Sequence, residues 1–186
     1  TKWSWSDIAQ ESAIVVGCGG LPKAGMRYQA CFVPLVVDAE ALKAWKKPQK
    51  TSSPCILTPH PGEAAKILVT ESSKIQKNRL KSLDRLVKKT GQAVYLKGAP
   101  GLLKFPKSNK FYVNLSINPV FSKAGTGDVL SGILGGFLAQ RPDSFEDAII
   151  SGLIFQSVVG EILREKRASI ATDQLNVFSK AFSLLS

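Results

Sequence analysis

Short, continuous apolar runs that each empty into a turn alternate with longer amphipathic stretches along this chain. Residues 13–16 (Ala-Ile-Val-Val) run into Gly17-Cys18-Gly19-Gly20, the pattern of a buried strand ending in a glycine turn. Residues 33–38 repeat it, with Asp38 at the end and a helical run over 39–46 behind it. A third buried strand is predicted over 55–58, followed by Pro59-His60-Pro61-Gly62-Glu63 and a helix pattern from Ala64. Over 74–90, Ile75, Leu80, Leu83, Leu86 and Val87 fall near helical spacing, which predicts an amphipathic helix. Residues 93–96 read as a fourth strand, ending in Lys97-Gly98-Ala99-Pro100-Gly101. Two weaker strands are predicted over 102–105 and 111–115, joined by a polar turn. From Asp128 the chain reads as helical, over 129–140, 145–164 and 172–184, with Thr172 or Asp173 capping the last. Residues 1–12 are polar with two tryptophans and read as a loop or short helix. The stretch between Gly20 and Val33 is short and irregular for a crossover between parallel strands.

Apolar strands alternating with helices imply a mainly parallel sheet covered on both faces. Ligands of such sheets gather beyond the C-terminal strand ends. Those ends carry Gly17 to Gly20, Asp38, His60 to Glu63 and Lys97-Gly98, and the turn from Gly125 to Asp128 is expected to join them.

The bulk numbers narrow the choices. A chain of 186 residues, 44% hydrophobic and 21% charged, is long enough for one domain with a core. The net charge of +11 is spread along the sequence, with no basic stripe interleaved with aromatics. That favours a solvated basic surface over a nucleic-acid face and suits a phosphate-rich ligand. Three cysteines without CxxC spacing and a single histidine disfavour a disulfide framework and a zinc site. No run reaches transmembrane length and no signal-peptide series opens the chain, so it reads as cytoplasmic, with no membrane partner.

The densest chemistry lies in Ser122-Lys123-Ala124-Gly125-Thr126-Gly127-Asp128-Val129-Leu130-Ser131-Gly132. Glycines admit a ligand close to the backbone, and a helix starting there aims unpaired N–H groups and its positive dipole end at the same point. An anion site results, with Asp128 placed as a candidate base or, in the plainer reading, as an N-cap. Lys97 at a buried strand end favours phosphate. His60 reads as a substrate contact in its Pro-flanked setting. Glu63 is balanced between a helix-dipole role and a metal or water role. Asp38 reads chiefly as a cap for 39–46, Gly17 to Gly20 as a tight turn at even odds, and Cys18 as packing. Gly132, Gly135 and Gly136 are expected to allow close helix packing.

Leu57-Thr58-Pro59-His60-Pro61-Gly62-Glu63-Ala64, then Leu96-Lys97-Gly98-Ala99, then Ala124-Gly125-Thr126-Gly127-Asp128-Val129-Leu130-Ser131-Gly132 occur in this order. Together they resemble the ADP/ATP-dependent NAD(P)H-hydrate dehydratases, a branch of the ribokinase-like superfamily. Gly17-Cys18-Gly19-Gly20, Val37-Asp38-Ala39-Glu40-Ala41-Leu42 and Ala171-Thr172-Asp173 extend the likeness over about residues 13–184. The resemblance implies an α/β, ribokinase-like three-layer sandwich whose mainly parallel central sheet is covered by helices on both faces. It also implies dehydration of hydrated NADH or NADPH, using ADP or ATP with Mg2+.

By position, the resemblance makes Asp128 the base and a hydrate contact. It places Lys97, Gly98, Ala99, Asn118, Gly125, Thr126 and Gly127 at the nucleotide, and Gly19 and His60 at the hydrate. It names no metal ligand. Val120-Phe121 after Asn118, and Pro100-Gly101 after Ala99, depart from the family pattern. The family domain begins well before the first residue here, so residues 1–186 are expected to be one N-terminally incomplete domain. Self-association into a homo-oligomer is a further expectation. Two rivals remain at this point. One is a thiamin-precursor or sugar kinase of the same superfamily; the other is a non-catalytic nucleotide-binding domain.

Overall fold

A computed structural model describes residues 12–20, 31–47, 49–141, 143–164 and 170–185. The readings for residues 1–11 and 21–30 lie outside the described residues. The four apolar runs become β1 (Ile14–Val16), β2 (Leu35–Val37), β3 (Cys55–Leu57) and β4 (Ala93–Leu96), all parallel. The two weaker runs become β5 (Gly101–Lys104) and β6 (Tyr112–Asn114), which fold back antiparallel. The strands lie side by side in chain order, so among the described residues the order does not reverse.

Alternation along each strand divides the core into two faces, because successive side chains point to opposite sides. Leu35, Val37, Leu57, Val94 and Leu96 pack beneath a 3-10 helix (Ala39–Lys46) and beneath α1 (Pro61–Leu68), α2 (Ser72–Lys77) and α3 (Arg79–Thr90). Val36, Ile56, Ala93, Tyr95 and Leu103 pack beneath α4 (Thr126–Gln140) and α5 (Phe145–Leu163). A third apolar cluster, which joins α4 and α5 to the C-terminal helix, is built on Phe155. Its ring lies 5.6 Å from Phe137, and 5.1 and 4.3 Å from Phe178 and Phe182 of α6 (Phe178–Leu185). The expected three layers are therefore present.

Element ends differ from the sequence reading for local reasons. The run over 39–46 is 3-10, capped by Asp38, whose side chain accepts from the Ala39 N–H at 2.8 Å. The predicted helix over 74–90 breaks at Asn78, whose Oδ1 accepts from the Lys81 N–H and starts α3 afresh. Residues 172–184 divide into a 3-10 helix (Ala171–Val177) and α6, and Asp173 accepts from the Ile170 N–H at 2.8 Å. Of the three α4 glycines expected to allow close packing, only Gly135 does so among the described residues: a Cβ there would lie 2.5 Å from Val15 of β1. Gly132 and Gly136 have no described residue within 4 Å of such a Cβ, so no close packing is seen there among the described residues. The glycine that brings α4 and α5 together is Gly152, whose added Cβ would lie 3.0 Å from Leu134.

Candidate active site

The ends of β1 to β4 bring distant residues to one edge, and Asp38 is the hub. It is 1% exposed, at the end of β2. Its Oδ1 accepts from Lys97 Nζ at 2.7 Å, across 59 residues of sequence. Its Oδ2 accepts from Ser131 Oγ at 2.9 Å, in the second turn of α4. Asp38 is thus the expected cap and also a clamp between the β4 loop and α4. The β1 turn sits directly on it: a Cβ on Gly17 would collide with the Asp38 carbonyl, and Gly17 has φ +106°. Gly20 donates back to the Gly17 carbonyl at 3.2 Å, so this segment is the tight turn that its glycines predict.

Lys97 also lies 4.0 Å from Glu63. A Cβ on Gly127 would lie 3.3 Å from Lys97 Nζ and 3.5 Å from Asp38 Oδ2. The missing side chain at Gly127 lets an ammonium group stand at the start of α4. There the helix begins on Gly125, at φ +83°, with no side chain capping its N–H groups. Helix dipole and lysine charge therefore add at one point. Thr126 closes the turn by donating its hydroxyl to the carbonyls of Phe121 and Lys123, each at 2.8 Å. Asp128 stands exposed in the first turn of α4, three residues past the cap, so the plainer reading of it as an N-cap does not hold.

Lys97, Gly98, Ala99, Asn118, Thr126 and Gly127 all line a single cavity of about 180 Å3. Six residues expected at a nucleotide are thereby brought together; Gly125 adjoins them as the helix cap. Asn118 is buried, and its amide is already used. It accepts from Val120 N–H at 3.0 Å and donates to the Gly160 carbonyl at 2.6 Å, so it shapes the wall. His60 lies elsewhere. Its Nδ1 accepts from the Gly62 N–H at 3.0 Å at the start of α1, while Glu63 accepts from the His60 N–H at 2.9 Å. The ring remains exposed and lines a second cavity of about 290 Å3. Gly19 is exposed in the β1 turn, with no described residue near a Cβ built there.

A profile of the NAD(P)H-hydrate dehydratases matches residues 6–181. The chain belongs to this family. It is similar to the ADP-dependent (S)-NAD(P)H-hydrate dehydratase of Neisseria meningitidis, with 35% identity over 177 residues, 88% of this chain and 59% of that protein. It is equally similar, at 35% over 144 residues, to the bifunctional NAD(P)H-hydrate repair enzyme of Coxiella burnetii, covering 76% of this chain and 29% of that protein. The chain therefore spans less than two thirds of these relatives. Among solved structures it superposes on a Bacillus subtilis ADP/ATP-dependent NAD(P)H-hydrate dehydratase co-crystallized with ATP/Mg2+, with TM-score 0.84 and 24% identity. That match covers 98% of this chain and 70% of the other. A ribokinase-like superfamily protein from Enterococcus faecalis follows at TM-score 0.80 and 21% identity, covering 98% and 66%. The fold of this dehydratase family member is accordingly ribokinase-like.

Two residues of the site escaped the sequence reading. Cys18 is not mere packing: its sulfur and carboxylate oxygens of Asp38 and Asp128 all lie within 4.8 Å of one another. Burial, then the hydrogen bond to Asp128 and the charges of Asp128 and Asp38, push its thiol from 9.0 up to about 11. Arg79, at the start of α3, donates Nη2 to the carbonyls of Leu96, Lys97 and Pro100 at 3.3, 3.2 and 2.9 Å. It fixes the loop that carries Lys97. Gly98 has φ +139°, and a Cβ there would lie 2.8 Å from Arg79 Nη2. No local pattern pointed to Arg79, because the break at Asn78 that sets it at the start of α3 shows only in the structure.

The Cys18, Asp38 and Asp128 group does not fit Mg2+. Magnesium demands octahedral oxygen ligation. Here one member is a thiol, and Lys97 already holds Asp38. No helix among the described residues is long and apolar enough to cross a membrane.

Proposed function

We propose that this chain carries the phosphoryl-transfer centre of an enzyme that converts hydrated NADH or NADPH back to the reduced dinucleotide, at the expense of ADP or ATP. The observation that carries the reading is the seating of Lys97 Nζ against Gly127 at the uncapped start of α4, beside the cavity that Lys97, Gly98 and Ala99 share with Thr126. That is a place for a transferable phosphate. Asp128 is one residue beyond it, exposed and available to a substrate hydroxyl.

Water is a poor leaving group and phosphate a good one. Asp128 takes the proton of the C6 hydroxyl, and that oxygen attacks the terminal phosphorus as the bond to the departing nucleotide breaks. The ring nitrogen then pushes out phosphate, which leaves with the C6–O electron pair. Loss of a proton from C5 restores the double bond. The protein's part is positioning and charge neutralisation. Lys97 and the Gly125–Gly127 turn hold the phosphate, Gly98 and Ala99 border the nucleotide, and Gly19 and His60 face the dinucleotide. Mg2+ neutralises the nucleotide phosphates in such reactions and would travel with them, since the thiol-bearing cluster does not suit it. A cytoplasmic, self-associating enzyme is the setting this reading supposes.

The test is turnover of hydrated NADH and hydrated NADPH with ADP and ATP in parallel, on the full chain. Regeneration of the reduced-nicotinamide absorbance with release of inorganic phosphate supports the reading. A stable phosphorylated product replaces it with a small-molecule kinase, and nucleotide binding without turnover replaces it with a binding domain.

A further inference from the structure

The second cavity, between the 3-10 helix Ala39–Lys46 and α1, is lined by Glu40, Lys43, Lys46, His60, Glu63 and Lys66, and nothing in the phosphoryl-transfer chemistry uses its lysines. Lys43 and Lys46 are three apart on a 3-10 helix, so they share one face. Glu63 and Lys66 share a face of α1 in the same manner. The carboxylates are already engaged. Glu40 accepts from Lys43 Nζ at 2.6 Å. Glu63 accepts from the His60 N–H at 2.9 Å and lies 4.0 Å from Lys97. Among the described residues, Lys46 and Lys66 make no ion pair, so two lysines without a carboxylate partner line one cavity of about 290 Å3.

This cavity adjoins the reacting end. Glu63 lines it and approaches Lys97; Lys97 holds Asp38; Asp38 and Asp128 have oxygens within 4.8 Å. Glu63 thus links the cavity that the lysines line, through Lys97 and Asp38, to Asp128. In a hydrated dinucleotide the pyrophosphate is one ribose away from the reacting ring, and NADPH bears a further phosphate on its adenosine ribose.

We propose that Lys46 and Lys66 bind a phosphate group of the hydrated dinucleotide, in the cavity that His60 walls. The assignment rests on the function proposed above and extends it to a specific subsite. The phosphate is either the pyrophosphate common to both substrates or the extra phosphate of NADPH, and the experiment separates them.

Lys46→Ala and Lys66→Ala are combined in the full chain, and KM and kcat are measured for hydrated NADH, hydrated NADPH and ADP. NADP+ and NAD+ binding is titrated calorimetrically, without turnover. Loss of charge-assisted hydrogen bonds predicts a dinucleotide KM raised about 10-fold or more, with kcat and the ADP KM within about twofold. Lys46→Arg with Lys66→Arg restores most of it. A rise for both substrates identifies the pyrophosphate; a rise for hydrated NADPH alone, matched by weaker NADP+ binding, identifies the extra phosphate. Unchanged dinucleotide KM and binding overturn the subsite, as does a rise confined to ADP. If the unaltered chain dehydrates neither substrate but binds NADP+ in a Lys46- and Lys66-dependent way, the subsite stands and the dehydratase reading falls. If the unaltered chain turns over and the double variant matches it throughout, only the subsite falls.

Discussion

At the scale of single residues the site is a chain of neighbouring ionisable groups with distinct tasks. Asp128 is the one carboxylate of the cluster that faces solvent; Asp38 is buried and bonded on both oxygens. Asp128→Asn keeps the shape and removes the proposed base, so kcat should fall by about 100-fold or more, the range of general-base losses. ADP affinity should stay nearly intact, because the cavity is lined by other residues. Single-turnover kinetics with a parallel ADP titration check this, and near-normal turnover would sink the role of Asp128. Cys18 reports on the same spot. Its raised pKa means that the folded chain holds the thiol proton more tightly than the unfolded chain does. The stability from this group is complete below pH 9.0 and is lost as pH rises towards about 11. At pH 9.0 an ordinary thiol is half ionised, whereas Cys18 stays largely protonated and should alkylate more slowly, since only thiolate reacts. Asp128→Asn should speed that labelling, read by mass spectrometry, because the Asp128 hydrogen bond and charge contribute to the shift.

At the scale of elements, each loop is only as well placed as the helix that braces it. Arg79 begins α3 and reaches the last carbonyl of β4 and two carbonyls of the β4–β5 loop, so α3 sets the position of Lys97. Arg79→Ala should raise the ADP KM roughly 10-fold, the scale of lost hydrogen bonds to a charged donor, while the KM for hydrated substrate holds. Arg79→Lys should not rescue it, because one ammonium cannot reproduce a planar fork. A purely structural role would lower Tm and leave both KM values alone. Local pattern accounts for much of the frame. Residues 35–37, 55–57 and 93–96 are continuous apolar runs, and a buried parallel strand asks for nothing else. It does not decide 3-10 against α over the eight residues of Ala39–Lys46, where both periods bury Ala41, Leu42 and Trp45. Nor does it reveal the break at Asn78, because Ile75, Leu83, Leu86 and Val87 stay buried across it. The glycine and aspartate turns were legible because a helix start has a local grammar. The bonds of Asp38 to Lys97 and Ser131 were not, since they span 59 and 93 residues, and no periodicity encodes a partner at that distance.

At the scale of the whole molecule, the Asp38–Lys97 pair ties the two halves of the chain together, and its energetics can be separated from its proposed use. Asp38 comes from the parallel half; Lys97 precedes the antiparallel return; Ser131 lies in the helix covering the opposite face. The side chain of Asp38 is 2% exposed and that of Lys97 is 20% exposed, so removing the lysine strands a carboxylate away from water. Lys97→Met should therefore cost on the order of 3 kcal/mol, the lower part of the range for breaking a buried pair, with solvent access to Lys97 reducing it. For a chain of this length that is a Tm fall of roughly 6–12 °C. Combining Lys97→Met with Asp38→Asn removes the stranded charge, so most of the lost Tm should return. Ligand response should not return. On the proposed function, ADP at about 100 times its Kd should stabilise the unaltered chain by about 2.7 kcal/mol. At that same concentration both variants should show a much smaller rise, because neither offers an ammonium at Gly127. Thermal melts of the three proteins with and without ADP read both quantities at once. Recovery of Tm together with recovery of the ADP shift would show that Lys97 serves the fold and not the phosphate. A double variant no more stable than Lys97→Met would show that the buried carboxylate is not what the lysine compensates.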